Sequence, residues 1–380
     1  MVAQMSASTD KLGLAVIGAS RFADFCLGQY VRLETLRAVG VWNRTTATGQ
    51  HLAAKYGMAS FESAKALLAD PSVHIVHVAT TPAHHAEYVM AALEHGKHVL
   101  CEKPLATNLH DARRLLDAAR QYDRRLSVNF MMRYGPLCEP VRQTIASGTL
   151  GAALRVYVVN CAGDDGLPPG HWFWNRDESG GIFIEHGVHF FDLLRCWLGP
   201  GNVISAWQAH RPDHGPVDQV GCEMRCGEQT CVDFYHGFHQ SHHMDRQEYR
   251  LIFERGEITL RGWVAGQMDL HAVLSDADVE RLRALFPGAK CTIVERFSGA
   301  DRAGSQRTGR APVEARVRMH WAAKQDGQAL YGEALRDLMV DFLASVRDRR
   351  HDMRVRAADG VAALEAAVEA DRLANHGTDA

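Results

Sequence analysis

Short apolar segments alternate with longer segments of mixed polarity over the first third of the chain, and this alternation limits the fold more than any other feature. Each apolar segment has the length of a buried strand, and each intervening segment has the length of a helix. The apolar segments lie at residues 12–18, 36–42, 73–78, 98–101 and 126–130. Strands joined through helices pair in parallel with right-handed crossovers. We therefore predict a doubly wound parallel sheet in a first domain of residues 11–133.

The pattern changes after residue 133, which predicts a second domain of residues 134–380. Between residues 203 and 261 apolar and polar residues alternate, as in the segment Val220-Gly-Cys-Glu-Met224. This alternation predicts an open, largely antiparallel sheet with one covered face. The polar, aperiodic residues 298–316 are expected to form a mobile loop that could act as a lid, and two helices are expected to end the chain. The predicted fold class is α/β, with an α+β second domain.

The balance of charges excludes two classes of partner. The 42 lysines and arginines nearly match the 45 aspartates and glutamates, and the net charge is −3. A chain without a basic field is not expected to bind nucleic acid or a membrane surface. Because the chain has no run of about 18 apolar residues and no signal-peptide pattern at its start, we expect a cytoplasmic protein. The nine cysteines include no Cys-x-x-Cys pair and are expected to be reduced thiols.

The strand at 98–101 ends in a carboxylate, an amine and a proline: Glu102, Lys103 and Pro104. Proline stops the strand and fixes a turn. In an open α/β sheet, ligands bind at the carboxyl ends of the strands. A lysine at this place is therefore positioned to act on a substrate. The alternative is a surface lysine that follows a strand.

A candidate phosphate-binding turn follows the first strand. The segment Gly18-Ala-Ser-Arg-Phe-Ala23 leads into a helix, whose free N–H groups and dipole favour a phosphate. Gly18, Ser20, Arg21 and Phe22 are therefore the predicted cofactor-binding residues. Ser20 stands where such turns usually carry a second glycine, and its hydroxyl could donate to a phosphate. A strand-to-helix turn that binds no ligand would show the same pattern.

The second strand ends in Asn43 and Arg44 rather than in an acid. An acid at this place bonds the ribose 2′-hydroxyl of NAD, whereas Arg44 could bind a 2′-phosphate through charge-assisted hydrogen bonds. The two residues therefore favour NADP over NAD, and the alternative is that Arg44 is simply solvated. Thr80, Thr81 and His85 follow a later strand and are expected to line the crevice near a nicotinamide.

The segment His171-Trp-Phe-Trp-Asn-Arg176 is both aromatic and polar. Tryptophan rings offer a flat face and nearby charges offer hydrogen bonds, a combination that suits a sugar or another polyol. Trp172, Trp174 and Arg176 are therefore predicted to bind substrate. The alternative is a tryptophan-rich hinge that packs against the following helix.

A helix is predicted from Ile182 to Leu198. Four polar or thiol side chains on it are spaced to share one stripe: Glu185, His189, Asp192 and Cys196. An acid one turn before a histidine can orient the imidazole, so Glu185 and His189 are candidate catalytic residues. The alternative is a histidine satisfied within the core. Four histidines between residues 236 and 243 complete no ligand spacing, and no metal site is predicted.

Three landmarks together carry a resemblance to a known family. They are the turn Gly18–Ala23, the strand end Glu102-Lys-Pro104, and the segment Gly180-Gly-Ile-Phe-Ile-Glu-His-Gly-Val-His-Phe-Phe-Asp-Leu-Leu194. From about Leu12 to Leu373 the chain resembles the glucose–fructose oxidoreductase, inositol dehydrogenase and MocA family (Gfo/Idh/MocA). The resemblance implies an N-terminal Rossmann domain and a C-terminal α+β domain. It also implies a homodimer or homotetramer that assembles face to face through the C-terminal sheet.

The resemblance further implies an activity, namely NAD(P)-dependent hydride transfer between nicotinamide C4 and a carbinol or carbonyl carbon of a sugar, inositol or related polyol. Lys103 corresponds to the family's lysine that bonds substrate hydroxyls, and it is expected with Glu102 to contact the cofactor as well. His189 corresponds to the family's catalytic histidine, and Glu185 stands where the family often has aspartate. A non-catalytic dinucleotide-binding sensor of the same fold is the alternative, because the turn at Gly18 is degenerate.

Overall fold

The computed structural model describes residues 11–213, 215–306 and 309–376. Over these residues the chain forms two compact units. The first runs to Asn129 and also contains Leu335–Val361, and the second contains Phe130–Ala334 and the chain from Ala362 onward. The division into domains of residues 11–133 and 134–380 stays a prediction. None of the helices described is both long and apolar enough to cross a bilayer.

The first unit is built on a six-stranded parallel sheet, which confirms the prediction. Its strands are β1 (Leu12–Ile17), β2 (Leu36–Trp42), β3 (Ala59–Ser60), β4 (Ile75–Val78), β5 (His98–Cys101) and β6 (Leu126–Val128). The helices between them are α1 (Arg21–Tyr30), α2 (Thr46–Tyr56), α3 (Ala64–Ala69), α4 (His85–Glu94) and α5 (Leu109–Gln121). The strand order is β3-β2-β1-β4-β5-β6.

The central strands of this sheet are buried on both faces, which explains their continuous apolar runs. All four residues of β4 are buried, as are Val99, Leu100 and Cys101 of β5. Burying one such aliphatic side chain contributes roughly 1.5–3 kcal/mol. The predicted bounds of β2 and β5 are confirmed, whereas β4 begins two residues later than expected and β6 ends two residues earlier.

The second unit is built on a nine-stranded sheet. Its strands are β7 (Ala153–Gly163), β8 (Gly201–His210), β9 (Val217–Cys226), β10 (Thr230–Gln240), β11 (Arg246–Phe253), β12 (Gly256–Arg261), β13 (Gln267–Leu274), β14 (Lys290–Arg296) and, after a separate pair β15 (Ala303–Gln306) and β16 (Gly309–Pro312), β17 (Ala315–Ala322). The order is β14-β17-β13-β12-β11-β7-β10-β9-β8. Among the described strands of this sheet only β7 and β10 pair in parallel, so the predicted largely antiparallel sheet is confirmed.

One face of the nine-stranded sheet is covered and the other is not. Val156 and Val158 of β7 are buried, while Tyr157 between them is exposed. The exposed side, here called the outer face, carries Arg155, Tyr157, Trp207, Asp233, Tyr235 and Arg250, as the strand register and their mutual contacts show. The period-two alternation of the sequence therefore corresponds to a real difference in burial.

The prediction of an aperiodic loop at residues 298–316 is wrong for most of its length. β15 and β16 pair with each other within this segment, and β17 begins at Ala315. Strand pairing is made by the backbone, so polar side chains do not prevent it. Residues 307 and 308 lie outside the described part of the chain. The predicted lid therefore stays a prediction for these two residues.

The helices of the second unit are α6 (Cys138–Ala146), α7 (Arg176–Ser179), α8 (Val188–Leu198) and α9 (Asp276–Leu285). The two predicted final helices are present as α10 (Gly327–Arg347) and α11 (Ala357–His376). The segment 335–361 belongs to the first unit because it bonds to the β6 edge of the parallel sheet. Arg125 donates to the carbonyl of Ser345 at 3.0 Å, and the Ser127 hydroxyl donates to the carbonyl of Val355 at 2.9 Å.

Candidate functional site

In the first unit, Glu102 at the end of β5 is held by a buried network. Its Oε1 accepts hydrogen bonds from His77 Nε2 and from Asn129 Nδ2, each at 2.8 Å. The Cys26 thiol lies 3.9 Å from the same oxygen, and burial raises the pKa of that thiol. A carboxylate with two such donors cannot turn without losing both bonds. The backbone next to Lys103 is therefore fixed by the fold.

The turn that follows Lys103 is tied to the neighbouring strand end by His85. The imidazole lies between two backbone carbonyls, with Nδ1 2.6 Å from the Pro104 oxygen and Nε2 3.1 Å from the Thr80 oxygen. Burial lowers the pKa of His85, which favours the neutral ring. Lys103 itself is half-buried, and its peptide bond to Pro104 is cis. His85 thus links the turn at Thr80, which follows β4, to the turn at Pro104, which follows β5. The sequence analysis placed proposed cofactor-binding residues at both turns.

The turn after β1 fits a dinucleotide pyrophosphate. Gly18 has φ +108°, and a Cβ atom there would lie 2.3 Å from the carbonyl oxygen of Ala79. Ser20 caps α1, since its hydroxyl accepts from the N–H of Ala23 at 3.1 Å, and it keeps its own proton for a further acceptor. Ser20 and Arg21 are exposed, with Phe22 half-buried beside them. The start of α1 therefore presents N–H groups and a hydroxyl to an anion.

The end of β2 is joined to this turn by Asn43. Its Oδ1 accepts from the N–H of Ala19 at 3.0 Å, and its Nδ2 donates to the carbonyl of Thr45 at 2.9 Å. Asn43 thus shapes the turn rather than offering a free amide. Arg44 is exposed and forms no ion pair among the described residues. It is close enough to Tyr88 to oppose the rise that burial causes in the pKa of that phenol.

In the second unit, the segment with Glu185 and His189 is not a regular α-helix throughout. Phe183–Gly187 forms a π-helical turn that leads directly into α8. The wider π turn changes the angular spacing, so α-helical periodicity alone does not describe the segment from Glu185 to His189. Both side chains are buried, with exposed fractions of 7% and 5%. Such π turns occur frequently at functional sites.

Asp192, the third member of the predicted stripe, has a structural partner. Its carboxylate accepts from Arg133 in a bidentate pair, at 2.8 Å from Nε and 2.6 Å from Nη2. Both side chains are almost completely buried. Because a buried charge must be paired, this aspartate holds α8 against the segment Met131–Tyr134. Spacing alone gave no indication of Arg133.

Around His189 lies an aromatic cluster that the sequence analysis did not identify. The imidazole packs edge-on against Phe130 at 6.1 Å and against Trp263 at 5.1 Å between ring centroids. His186, from the π turn, lies 4.9 Å from the same indole and 4.5 Å from the ring of His236. The Glu-His-Gly-Val-His spacing could have indicated His186, but Trp263 is a single aromatic residue in a turn and carries no periodic signal.

Some side chains of the aromatic segment 171–176 pack in the interior, and others line a cavity. Phe173 is buried against Phe238 at 4.7 Å, and Trp172 is half-buried. Trp174 and Arg176 line a cavity of about 240 Å³ together with Gln208, His210 and Asp371. Arg176 donates to Asp371 at 2.6 Å. His189 and Glu185 are not among the residues that line this cavity.

The histidines between residues 236 and 243 do not converge. His236 is buried among aromatic rings, whereas His239 lies 2.5 Å from the hydroxyl of Tyr235. His242 pairs with Asp165 at 3.1 Å. These different partners explain why the cluster in the sequence is not a cluster of ligands in the described part of the chain.

Comparisons with known proteins agree with this architecture. The model of an oxidoreductase family with an NAD-binding Rossmann fold matches residues 12–130, and the model of the GFO/IDH/MocA C-terminal domain matches residues 139–259. A D-glucoside 3-dehydrogenase of Escherichia coli (strain K12) is 30% identical over 58% of this chain, and the match spans 62% of that relative's length. A 1,5-anhydro-D-fructose reductase of Ensifer adhaerens is 35% identical over 59% of this chain and 68% of its own.

A solved structure shows the same fold over nearly the whole chain. It is that of a putative myo-inositol dehydrogenase from Sinorhizobium meliloti 1021, with a TM-score of 0.71, 19% identity, and coverage of 97% of this chain and 98% of that one. The fold, the two family models and the Ensifer relative lead to one assignment. The chain belongs to the Gfo/Idh/MocA family of oxidoreductases, with the family's NAD-binding Rossmann fold over residues 12–130.

Proposed function

We propose that the chain is an NAD(P)-dependent dehydrogenase or reductase that acts on a CH–OH group, or the corresponding carbonyl, of a sugar, inositol or related polyol. The observation that carries this proposal is the anchoring of Glu102, whose two buried hydrogen bonds fix the backbone beside Lys103. Preorganised groups of this kind are characteristic of catalytic sites. The names of the relatives, a D-glucoside dehydrogenase and an anhydrofructose reductase, support the substrate class.

In this proposal the protein moves the proton and stabilises charge. A nicotinamide dinucleotide, when bound, accepts or supplies the hydride. His189 takes the hydroxyl proton when an alcohol is oxidised and returns it when a ketone is reduced, a contribution of about 10²–10⁴ in rate. The Lys103 ammonium stabilises the negative charge that develops on the substrate oxygen. Glu185 orients the imidazole.

The cofactor is proposed to be NADP rather than NAD. Gly18, Ser20, Arg21 and Phe22 would receive the pyrophosphate, and the exposed Arg44 would bind the 2′-phosphate. Asn43 supports the turn through its bonds to Ala19 and Thr45. Thr80, Thr81, Glu102 and Lys103 complete the proposed cofactor-binding residues, and His85 positions two of the turns that carry them.

Two further parts of the second unit are included in the proposal. Trp172, Trp174 and Arg176 contact the substrate away from the reacting carbon, the last two from the wall of their cavity. The outer face of the nine-stranded sheet pairs with a second copy of the chain in a homodimer or homotetramer. Its exposed Tyr157 and Trp207 are large side chains of the type enriched at interfaces.

The test combines cofactor binding with turnover. Tryptophan fluorescence is titrated with NADPH and NADH, and absorbance of the reduced nicotinamide is then followed over a panel of sugars, inositols and related polyols. In the variant Lys103→Met we expect kcat to fall by about 10²–10³-fold, because one preorganised charge is lost, with little change in cofactor affinity. The matched control is Lys65→Met, because Lys65 is exposed on α3 and has no proposed role.

The outcomes separate the two functions. Turnover by Lys103→Met within a few-fold of the unchanged protein would remove Lys103 from the mechanism. Nucleotide binding without turnover on any member of the panel would favour the sensor function instead. Tighter binding of NADH than of NADPH would overturn the cofactor preference alone.

A further inference from the structure

The indole of Trp263 lies directly against the proposed catalytic histidine. Its ring centroid is 5.1 Å from that of His189, with the two planes at 80°, and 4.9 Å from that of His186. The ring centroid of Phe190 lies 5.8 Å from that of Trp263. Trp263 is therefore one of the aromatic side chains that pack against His189 within the second unit.

The polar atom of this side chain has no acceptor. Trp263 Nε1 is buried and donates to no acceptor among the described residues. By contrast, the indole N–H of Trp174 donates to the carbonyl of Leu167 at 3.0 Å. Buried indole N–H groups usually find a partner, because an unmade bond costs free energy. A buried donor without a partner beside a proposed catalytic group calls for an acceptor that arrives with a ligand.

The turn that carries Trp263 is fixed by the backbone. The N–H of Gly262 donates to Gln247 at 3.0 Å, and the N–H of Gly266 donates to Arg261 at 3.0 Å. Val264, the next residue but one after Gly262, is buried. The backbone that carries the indole is therefore held in place on both sides of Trp263.

We propose that Trp263 is a specificity-determining residue whose indole N–H donates a hydrogen bond to the substrate oxygen next to the reacting oxygen. The inference rests on the proposed function, in which the reacting hydroxyl bonds to His189. With ring centroids 5.1 Å apart, the indole and the imidazole are close enough to contact neighbouring oxygens of one small substrate. The substrate class is therefore a vicinal diol in the oxidising direction, or an α-hydroxyketone in the reducing direction.

The direct test observes the indole N–H in the full chain. The protein is labelled with ¹⁵N-tryptophan, and the Trp263 cross-peak is assigned as the one missing from Trp263→Phe or, if that variant does not fold, from Trp263→Tyr. The labelled protein with oxidised NADP is titrated with myo-inositol, D-glucose and cis-1,2-cyclohexanediol. We expect the Trp263 cross-peak to move downfield with a vicinal diol as it gains an acceptor. The cross-peak of Trp207, exposed on β8, is the control and should not move.

A kinetic measurement gives a second readout. For a vicinal-diol substrate, Trp263→Phe should lower kcat/KM by about 3- to 10-fold, the worth of one neutral hydrogen bond. Removing the neighbouring hydroxyl from the substrate should cost the unchanged enzyme a similar factor and should cost Trp263→Phe nothing further. A merely structural role would leave the two losses additive.

The outcomes distinguish this inference from the proposed function. No movement of the Trp263 cross-peak with any of the three probes overturns the inference, whether or not turnover is found, and would leave the N–H directed at a neighbouring ring. Movement of the cross-peak without any turnover supports the donor role and removes the dehydrogenase function. Additive kinetic losses also overturn the inference.

Discussion

At the scale of single residues, Cys196 on α8 differs from the other cysteines of the chain. Its pKa is lowered to about 7, chiefly because the thiol of Cys138 donates a hydrogen bond to it, with Arg133 and Arg142 adding positive charge. The pKa of Cys138 is raised, because that thiol is the donor and because it is buried. Cys196 is partly exposed. It is therefore the member of the pair that carries the negative charge, and thiolates are the reactive form.

We predict that Cys196 is the fastest cysteine to react with iodoacetamide near neutral pH. The rate should rise with pH through a midpoint close to 7, because the thiolate fraction rises there, whereas an ordinary free thiol has a midpoint near 8.5. Mass spectrometry of digests sampled over time at several pH values measures the site and the rate. Cys138→Ala should move the midpoint upward, because the donor is lost. The control Cys291→Ala, which alters another partly exposed thiol, should leave it unchanged.

The same experiment can contradict the assignment. A midpoint for Cys196 near that of an ordinary thiol, or one that Cys138→Ala does not move, would show that the hydrogen bond does not lower the pKa. Cys231 is also partly exposed and serves as an internal comparison in the same digest.

At the scale of elements, the buried pair Arg133–Asp192 fastens α8 to the short helix Met131–Tyr134. Removing one partner from a buried pair leaves an uncompensated charge, which costs more than the pair contributes. We predict that Asp192→Asn lowers the free energy of unfolding by about 3–5 kcal/mol, measured by urea denaturation followed by circular dichroism. Asp117→Asn is the matched control, since its pair with Arg120 on α5 is exposed and should contribute about 0–1 kcal/mol.

Equal and small losses from the two substitutions would contradict this account of α8. A large loss from Asp192→Asn combined with unchanged cofactor binding would agree with a structural role for the Arg133–Asp192 pair that is confined to the second unit, which contains both partners.

The elements that the sequence predicts well are those whose burial is uniform. β2 and β5 were predicted with their observed bounds, because apolar runs between turn residues have few other interpretations. β15 and β16 were missed because polar strands that pair only with each other leave no alternation. The π turn at Phe183–Gly187 was missed because it changes the period within an otherwise helical pattern.

The candidate site was predictable where residue type and strand end coincide, as at Lys103 and Gly18. Its supporting contacts were not, because they join residues far apart in the chain. Asn129 reaches Glu102 across 27 positions, and Arg133 reaches Asp192 across 59. No local pattern in one sequence encodes such pairs, and Trp263 likewise became recognisable only through its contact with His189.

At the scale of the whole molecule, the outer face of the nine-stranded sheet has a chemistry that suggests a partner. Its ion pairs are made within the face, as between Arg155 and Asp233 at 2.7 Å and between Arg250 and Glu257 at 2.6 Å. Charges that are already paired are cheaper to bury than single charges. Tyr157 lies between them, opposite Asp233 on β10 and Arg250 on β11, with 37% of its surface exposed.

We predict that the chain is a dimer or tetramer in solution and that Tyr157→Arg dissociates it. In an isologous contact the same patch of both copies is apposed, so one substitution brings two added positive charges into the interface beside Arg155 and Arg250. Light scattering after gel filtration should give two or four times the 42.1 kDa of one chain for the unchanged protein, and a lower multiple for the variant. Val340→Arg, an equal change at an exposed apolar residue of α10 in the first unit, should keep the full mass. A mass of one chain for the unchanged protein, or dissociation by Val340→Arg alone, would show that the outer face is not the interface.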